Sequence, residues 1–274
     1  MKFYLSFIII IYLSFSCFSQ KKDDIFRAVY NMTEIRDSIN QRYSDDIINL
    51  ELYPTRSFCY SKNTWFLDSL NQQPNGDKIW DEMFIAAIKK EGVTTRSFPR
   101  RKNKFEIIKN FLHNEIITYD MLDEEYYVYP DSINSFSWTL NDTTALINGY
   151  PCASATCSYH GRNWEAWFCP DLPWQDGPWK LCGLPGLIVK AHDDNNLYSF
   201  ELKEIIKIPS DQTVSPWAKN VKKTERRKFL KNRYKYLIKL ENNISTQLGI
   251  PLNTHNISSQ RYRIGLESDY DRDK

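Results

Sequence analysis

Cys157 and His160 stand three residues apart, and they are the types that a thiolate nucleophile and its base require. On a β-hairpin, however, residues three apart point to opposite faces, and His160 falls at the turn. No third group that would orient the imidazole is identifiable, so a structural role is preferred. His192-Asp193-Asp194 offers an imidazole and two carboxylates, with Asp171 or Asp176 as further metal ligands. Yet Asp193-Asp194-Asn195-Asn196 is ordinary hairpin-turn chemistry and the other three histidines are scattered. No catalytic residue, metal site or cofactor is assigned on this basis. A secreted hydrolase would need a polar pocket near Asp171, Asp176, His160 or His192.

Beyond Cys17, the cysteines are Cys59, Cys152, Cys157, Cys169 and Cys182, and none forms a Cys-x-x-Cys pair. That spacing suits neither zinc nor a thioredoxin-type redox site. In an exported chain it favours disulfides with one thiol left over. A hairpin turning at residues 160–163 sets Cys169 beside Ser154 and one diagonal step from Cys152. Cys182 is brought near by the turns that precede it. Cys152–Cys169 and Cys169–Cys182 are therefore the candidate bridges.

The elements that position these groups are read from periodicity and turn residues. Residues 28–40 and 47–61 read as two paired strands with a polar connection around Ser44–Asp46. Pro74-Asn75-Gly76-Asp77 is a turn with Asp77 as a candidate cap. Trp80, Met83, Phe84, Ala87 and Ile88 then form one helical stripe, placing a short helix near 78–91 that ends at Gly92. From Ser97 to about Ile208, apolar runs alternate with turn signals such as Leu112-His113-Asn114, Asn141-Asp142-Thr143-Thr144 and His160-Gly161-Arg162. Short turns between sequential strands imply an antiparallel meander. Residues 219–241 carry ten Lys or Arg, and Phe229, Leu230, Tyr234, Leu237 and Leu240 recur at helical spacing. The expected architecture is mainly β, an antiparallel meander forming a curved sheet or open half-barrel, with a C-terminal helix near 219–241. One β-rich domain spans 20–248, and a polar tail follows at 249–274.

Between residues 174 and 188 the sequence WQDGPWKLCGLPGLI is dense in corner chemistry. Pro185 and Gly186 suit a type II turn, and Asp176-Gly177-Pro178 forces another reversal that brings Trp174 and Trp179 together. Leu187 and Ile188 then leave as a buried strand. The stretch is neither a phosphate loop nor a nucleophile elbow, because the Lys-Ser/Thr pair and the flanked Ser are missing. On the preceding strand Trp164, Ala166 and Phe168 share one face and Glu165, Trp167 and Cys169 the other. One face is core; the other is either covered or a platform for a hydrophobic ligand.

The first residues carry one Lys and an apolar run from Phe3 to Phe15, which suits a secretory signal cleaved after Ser19 and is preferred over lipidation of Cys17. Cleavage lowers the net charge from +2 to +1, which gives no field for nucleic acid. No later segment has the apolar length of a transmembrane helix. The basic helix face could meet anionic lipid, although a solvated face is its usual meaning.

The run from Tyr159 to Ala191 resembles the GLPGLI family of secreted Bacteroidetes proteins. The likeness rests on Gly161, Arg162, Trp164, Ala166, Trp167 and Phe168, on Asp176, Gly177, Pro178, Trp179 and Lys180, and on Gly183, Leu184, Pro185, Gly186, Leu187 and Ile188. It extends over about residues 25–208. The resemblance implies an exported location, periplasmic, outer-membrane-associated or secreted, and carries no catalytic residue or cofactor with it. The expected function is a non-enzymatic cell-envelope protein that binds a hydrophobic or peptide ligand in the aromatic concavity of the sheet. Its partners would be an envelope or outer-membrane protein, a lipid or a peptide. The alternatives are a secreted hydrolase and a structural or partner-binding surface protein.

Overall fold

The computed structural model describes residues 24–37, 42–92, 100–216, 220–248 and 265–269. The signal segment with Cys17 and most of the tail lie outside these residues. Among them the chain is mainly β, and twelve strands form a single sheet that does not close. The first wing comprises β1 (Ile25–Asp37), β2 (Arg42–Leu52), β3 (Arg56–Ser61), β4 (Glu106–Asn110), β5 (Glu115–Leu122) and β6 (Glu125–Ser132). The second comprises β7 (Thr139–Ile147), β8 (Tyr150–Tyr159), β9 (Arg162–Cys169), β10 (Leu187–Asp193) and β11 (Tyr198–Ile208).

Each wing is an antiparallel meander, and they join where β1 pairs with β11. A single continuous meander would have set β7 beside β6; instead the two strands stand near opposite ends of the sheet. The short β12 (Lys222–Lys223) adds the one parallel pairing, on β6.

Period-two patterning builds the core. Ala28, Leu50, Cys59 and Ile107 are register partners across four strands, all fully buried. In β9, Trp164, Ala166 and Phe168 are buried on one face as expected, but on the other only Cys169 is buried and Trp167 is half-buried. The sheet curls strongly. Asp131 at the end of β6 lies 3.3 Å from His160 at the β8–β9 turn, and Phe136 stacks on Tyr159 with ring centroids 4.0 Å apart.

Several boundaries differ from the sequence reading. The run 47–61 is two strands, because Pro54 interrupts the ladder. Ser44–Asp46 is not a connection but part of β2, where buried Asp46 accepts hydrogen bonds from Ser61 Oγ and Asn103 Nδ2. Asn141–Thr143 is a bulge inside β7, and the hairpin turn lies at Asn148-Gly149, both at positive φ.

Helix α1 (Lys62–Leu70) is an element the sequence reading lacked; Ser61 caps it by accepting from the Thr64 amide. Helix α2 (Gly76–Glu91) carries the predicted stripe half-buried and ends at Gly92, but its cap position is Asn75, with Asp77 in the first turn. Helix α3 (Arg226–Leu248) starts later and runs further than 219–241, and it packs Phe229 and Leu230 on Tyr129 of β6. No described helix is long and apolar enough to cross a membrane.

Candidate functional site

The loop from Pro170 to Gly186, between β9 and β10, folds back onto the sheet and joins its main core. Leu172, Trp174, Trp179, Leu181, Cys182 and Leu184 are all buried there. Trp174 and Trp179 of the corner are thus packed into the main core. Strands of the first wing hold the loop and the start of β10 in place. Tyr30 Oη donates to Ile188 O at 2.8 Å, the Trp179 amide donates to Cys59 Sγ at 3.2 Å, and Lys109 Nζ donates to Gly177 O at 2.6 Å while pairing with Asp176.

Glycines permit the close approaches. A Cβ on Gly186, at φ +152°, would sit 2.2 Å from Cys169 O. The turn itself departs from the expected type II. The Gly186 amide bonds to Leu184 O at 2.8 Å, a γ-turn about Pro185, while the Leu187 amide is drawn away to Leu172 O at 3.1 Å.

Beside the loop lies a buried charge network. Lys180 is fully buried, and its Nζ donates to Asp131 Oδ2 and Glu267 Oε1, each at 2.6 Å. Arg226 of α3 reaches Glu267 Oε2 at 2.8 Å and grips Asp269 through two bonds of 2.6 Å. His160 stands 3.3 Å from Asp131 and 3.5 Å from Asp269. Burial works against the His160 charge, but the Asp131 and Asp269 carboxylates outweigh it and raise its pKa. Burial likewise disfavours the ionised form of Glu267, yet Lys180, His160 and Arg226 hold it below the usual carboxylate range.

Asp131, His160 and Glu267 present ligand atoms within 4.8 Å of one another, as a metal site would. Lys180 Nζ already bridges the two carboxylates, so a cation would have to displace a buried ammonium. The donor set fits an ion-pair network better than a metal centre. Near it, Arg162 pairs with Asp193 at 2.5 Å, so the one buried member of the His192-Asp193-Asp194 triplet serves an arginine. His192 faces Glu165 at 3.6 Å.

The open surface is elsewhere. A shallow cleft of about 510 Å³ is lined by Thr144, Ala145, Leu146, Pro151, Cys152, Ala153 and Pro170. Its one titratable group is the Cys152 thiol, which burial pushes up to about 11, far from a nucleophile's range. The cleft runs along the last residues of β7, whose outer side has no partner among the described residues. Leu146 is 75% exposed there.

The architecture has a counterpart among solved structures. It resembles that of PNGF-II. A structure of that protein in space group P21 superposes with a TM-score of 0.51 at 14% identity, covering 78% of this chain and 34% of the other. One in space group C2 gives 0.50 at 14% identity, over 78% and 33%. The chain thus spans about a third of the length of PNGF-II, and the likeness concerns the fold alone. No family model and no curated protein matches the sequence.

The cysteines correct one expectation outright. Cys59, Cys152, Cys157, Cys169 and Cys182 are all buried free thiols. The β8–β9 turn is tighter than assumed: Tyr159 pairs with Arg162 and Ser154 with Trp167 rather than Cys169. That two-residue shift keeps every face and moves Cys169 level with Cys152, close enough for a thiol–thiol hydrogen bond without a covalent bridge. Of the signature residues, Gly161, Arg162 and Lys180 meet at the charge network, whereas Asp176, Gly177, Pro178, Trp179 and Gly183–Gly186 belong to the packed loop and Leu187 and Ile188 open β10. Asp131, Arg226, Glu267 and Asp269 were missed, since ion pairs spanning up to 109 residues leave no local pattern.

Proposed function

We propose that this chain is an exported GLPGLI-type protein of the cell envelope, not an enzyme, that binds an extended peptide segment of a partner protein at the open edge of β7. The observation that carries this reading is the pairing of an unpartnered strand edge with an apolar cleft beside it. Main-chain groups of Thr144–Ile147 would pair with the incoming strand, and the cleft would take its alternate side chains. The far edge of the sheet differs, because there β12 and Phe229 of α3 cover β6. Export is supported by the apolar run Phe3–Phe15 and by the signature between Gly161 and Ile188.

The test uses a fluorescent hexapeptide of alternating Val and Thr, titrated by anisotropy against the full chain and against Leu146→Asp. Leu146 is exposed, so the substitution leaves stability within about 0.5 kcal/mol. Saturable binding weakened at least about tenfold in the variant supports strand addition at β7. Equal binding by both proteins, or none by the wild type, sinks it.

A further inference from the structure

Residues 265–269, Gly-Leu-Glu-Ser-Asp, belong to no strand or helix, yet they are seated in a cradle built by residues of the signature. Arg162 donates from Nε and Nη2 to Gly265 O at 2.9 and 2.6 Å, and Leu266 packs against the main core. Glu267 takes Lys180 and Arg226, and Asp269 takes Arg226 on both its oxygens. Ser268 donates from its amide to His160 O at 2.8 Å and from Oγ to Gly161 O at 2.9 Å. A Cβ at Gly161 would stand 2.6 Å from Ser268 Oγ and 2.7 Å from the Asp269 nitrogen, so glycine there serves the segment as well as the turn.

The cradle is complete without the segment: its turn, its lysine and its arginines come from β8–β9, the 170–186 loop, and α3. The segment contributes two carboxylates at a spacing of two and one apolar anchor. Among the described residues one backbone–backbone bond fixes it, so side-chain chemistry decides what the cradle accepts.

We propose that Gly161, Arg162, Lys180 and Arg226, with His160, form a receptor for an acidic peptide of the form Leu-Glu-x-Asp, and that the chain's own tail fills it in cis. The tether keeps the tail at an effective concentration on the order of millimolar, so the intact chain excludes such a peptide from outside. Release of the tail opens the receptor to a partner.

The experiment starts from the full chain with a protease site placed between Thr254 and His255, cut after folding and freed of the released tail by buffer exchange. Circular dichroism follows the fold throughout, and a labelled peptide of residues 260–274 is titrated by anisotropy. The cut chain should bind it at least tenfold more tightly than the uncut chain. Peptides carrying Glu267→Gln or Asp269→Asn should bind at least tenfold more weakly than the native sequence. Equal binding of native and substituted peptides overturns the proposal. So does a cut tail that excess peptide cannot displace, and so does unfolding once the tail leaves, which would make the segment core rather than ligand.

Discussion

Lys109 on β4 is fully buried and donates to Gly177 O at 2.6 Å while its ammonium pairs with Asp176, tying one wing of the sheet to the loop carried by the other. Replacing it with Met leaves the Asp176 carboxylate buried and uncompensated. Lys109→Met should therefore cost about 3–5 kcal/mol. Urea unfolding reads this directly, and the double variant with Asp176→Asn should recover part of the loss. An unchanged urea midpoint for Lys109→Met would show that the tie carries no weight.

Two glycines at positive φ offer a matched comparison. Gly149 at φ +81° has open space around its missing Cβ, whereas at Gly186 a Cβ would collide with the Cys169 carbonyl. Gly149→Ala should cost about 1 kcal/mol from backbone strain alone, and Gly186→Ala more than about 2 kcal/mol. Thermal melts of the pair decide it, and equal shifts would remove the collision from the account.

The charge network should give stability two limbs in pH. Asp131, Glu267 and Asp269 are held below their ordinary values of 3.8, 4.5 and 3.8, so their stabilisation is present above those values and fades as pH falls through and below them. His160 is raised above 6.5, so its share is complete below 6.5 and lost as pH rises through the raised value. Urea midpoints should thus be highest between about pH 4.5 and 6.5 as far as these groups are concerned. His160→Gln should flatten the upper limb and weaken the lower one without abolishing it, because Lys180 and Arg226 still hold the carboxylates down. A variant that loses stability above pH 6.5 as steeply as the wild type would clear His160 of the role.

Burial pushes Cys59, Cys157 and Cys182 up to about 12. Native protein at pH 7 should accordingly react slowly with a thiol-specific alkylating agent. Denatured without reductant, Cys59, Cys152, Cys157, Cys169 and Cys182 should all become alkylated, as counted by mass. A mass showing fewer labels at Cys152 and Cys169 would reveal a bridge that the described geometry lacks.

Alternating patterns made the strands readable, and the grouping of Trp164, Ala166 and Phe168 on one face holds, although which face is core was left open until the burial of β9 decided it. The Gly-Pro corner was also recognisable, since Pro185 fixes its own φ and Gly186 accepts a positive φ that other residues avoid. What escaped was long-range. That β1 would pair with β11 depends on which strand edges find each other, and no local residue states it. Glu267 sits in a run of polar residues and reads as solvated; only the placement of Lys180 and Arg226 makes its burial tolerable. Helix α1 was hidden by the aromatic residues that the preceding strand shares with it, although Ser61 and Thr64 marked its start.

The unequal edges of the sheet have a consequence for assembly. An edge that is open on one side and covered on the other permits only one kind of self-contact, open side to open side, which is isologous and exhausts the pairing surface of both molecules. Association through β7 therefore stops at two chains. The cover that β12 and α3 place over β6 is what separates a finite dimer from an endless ribbon.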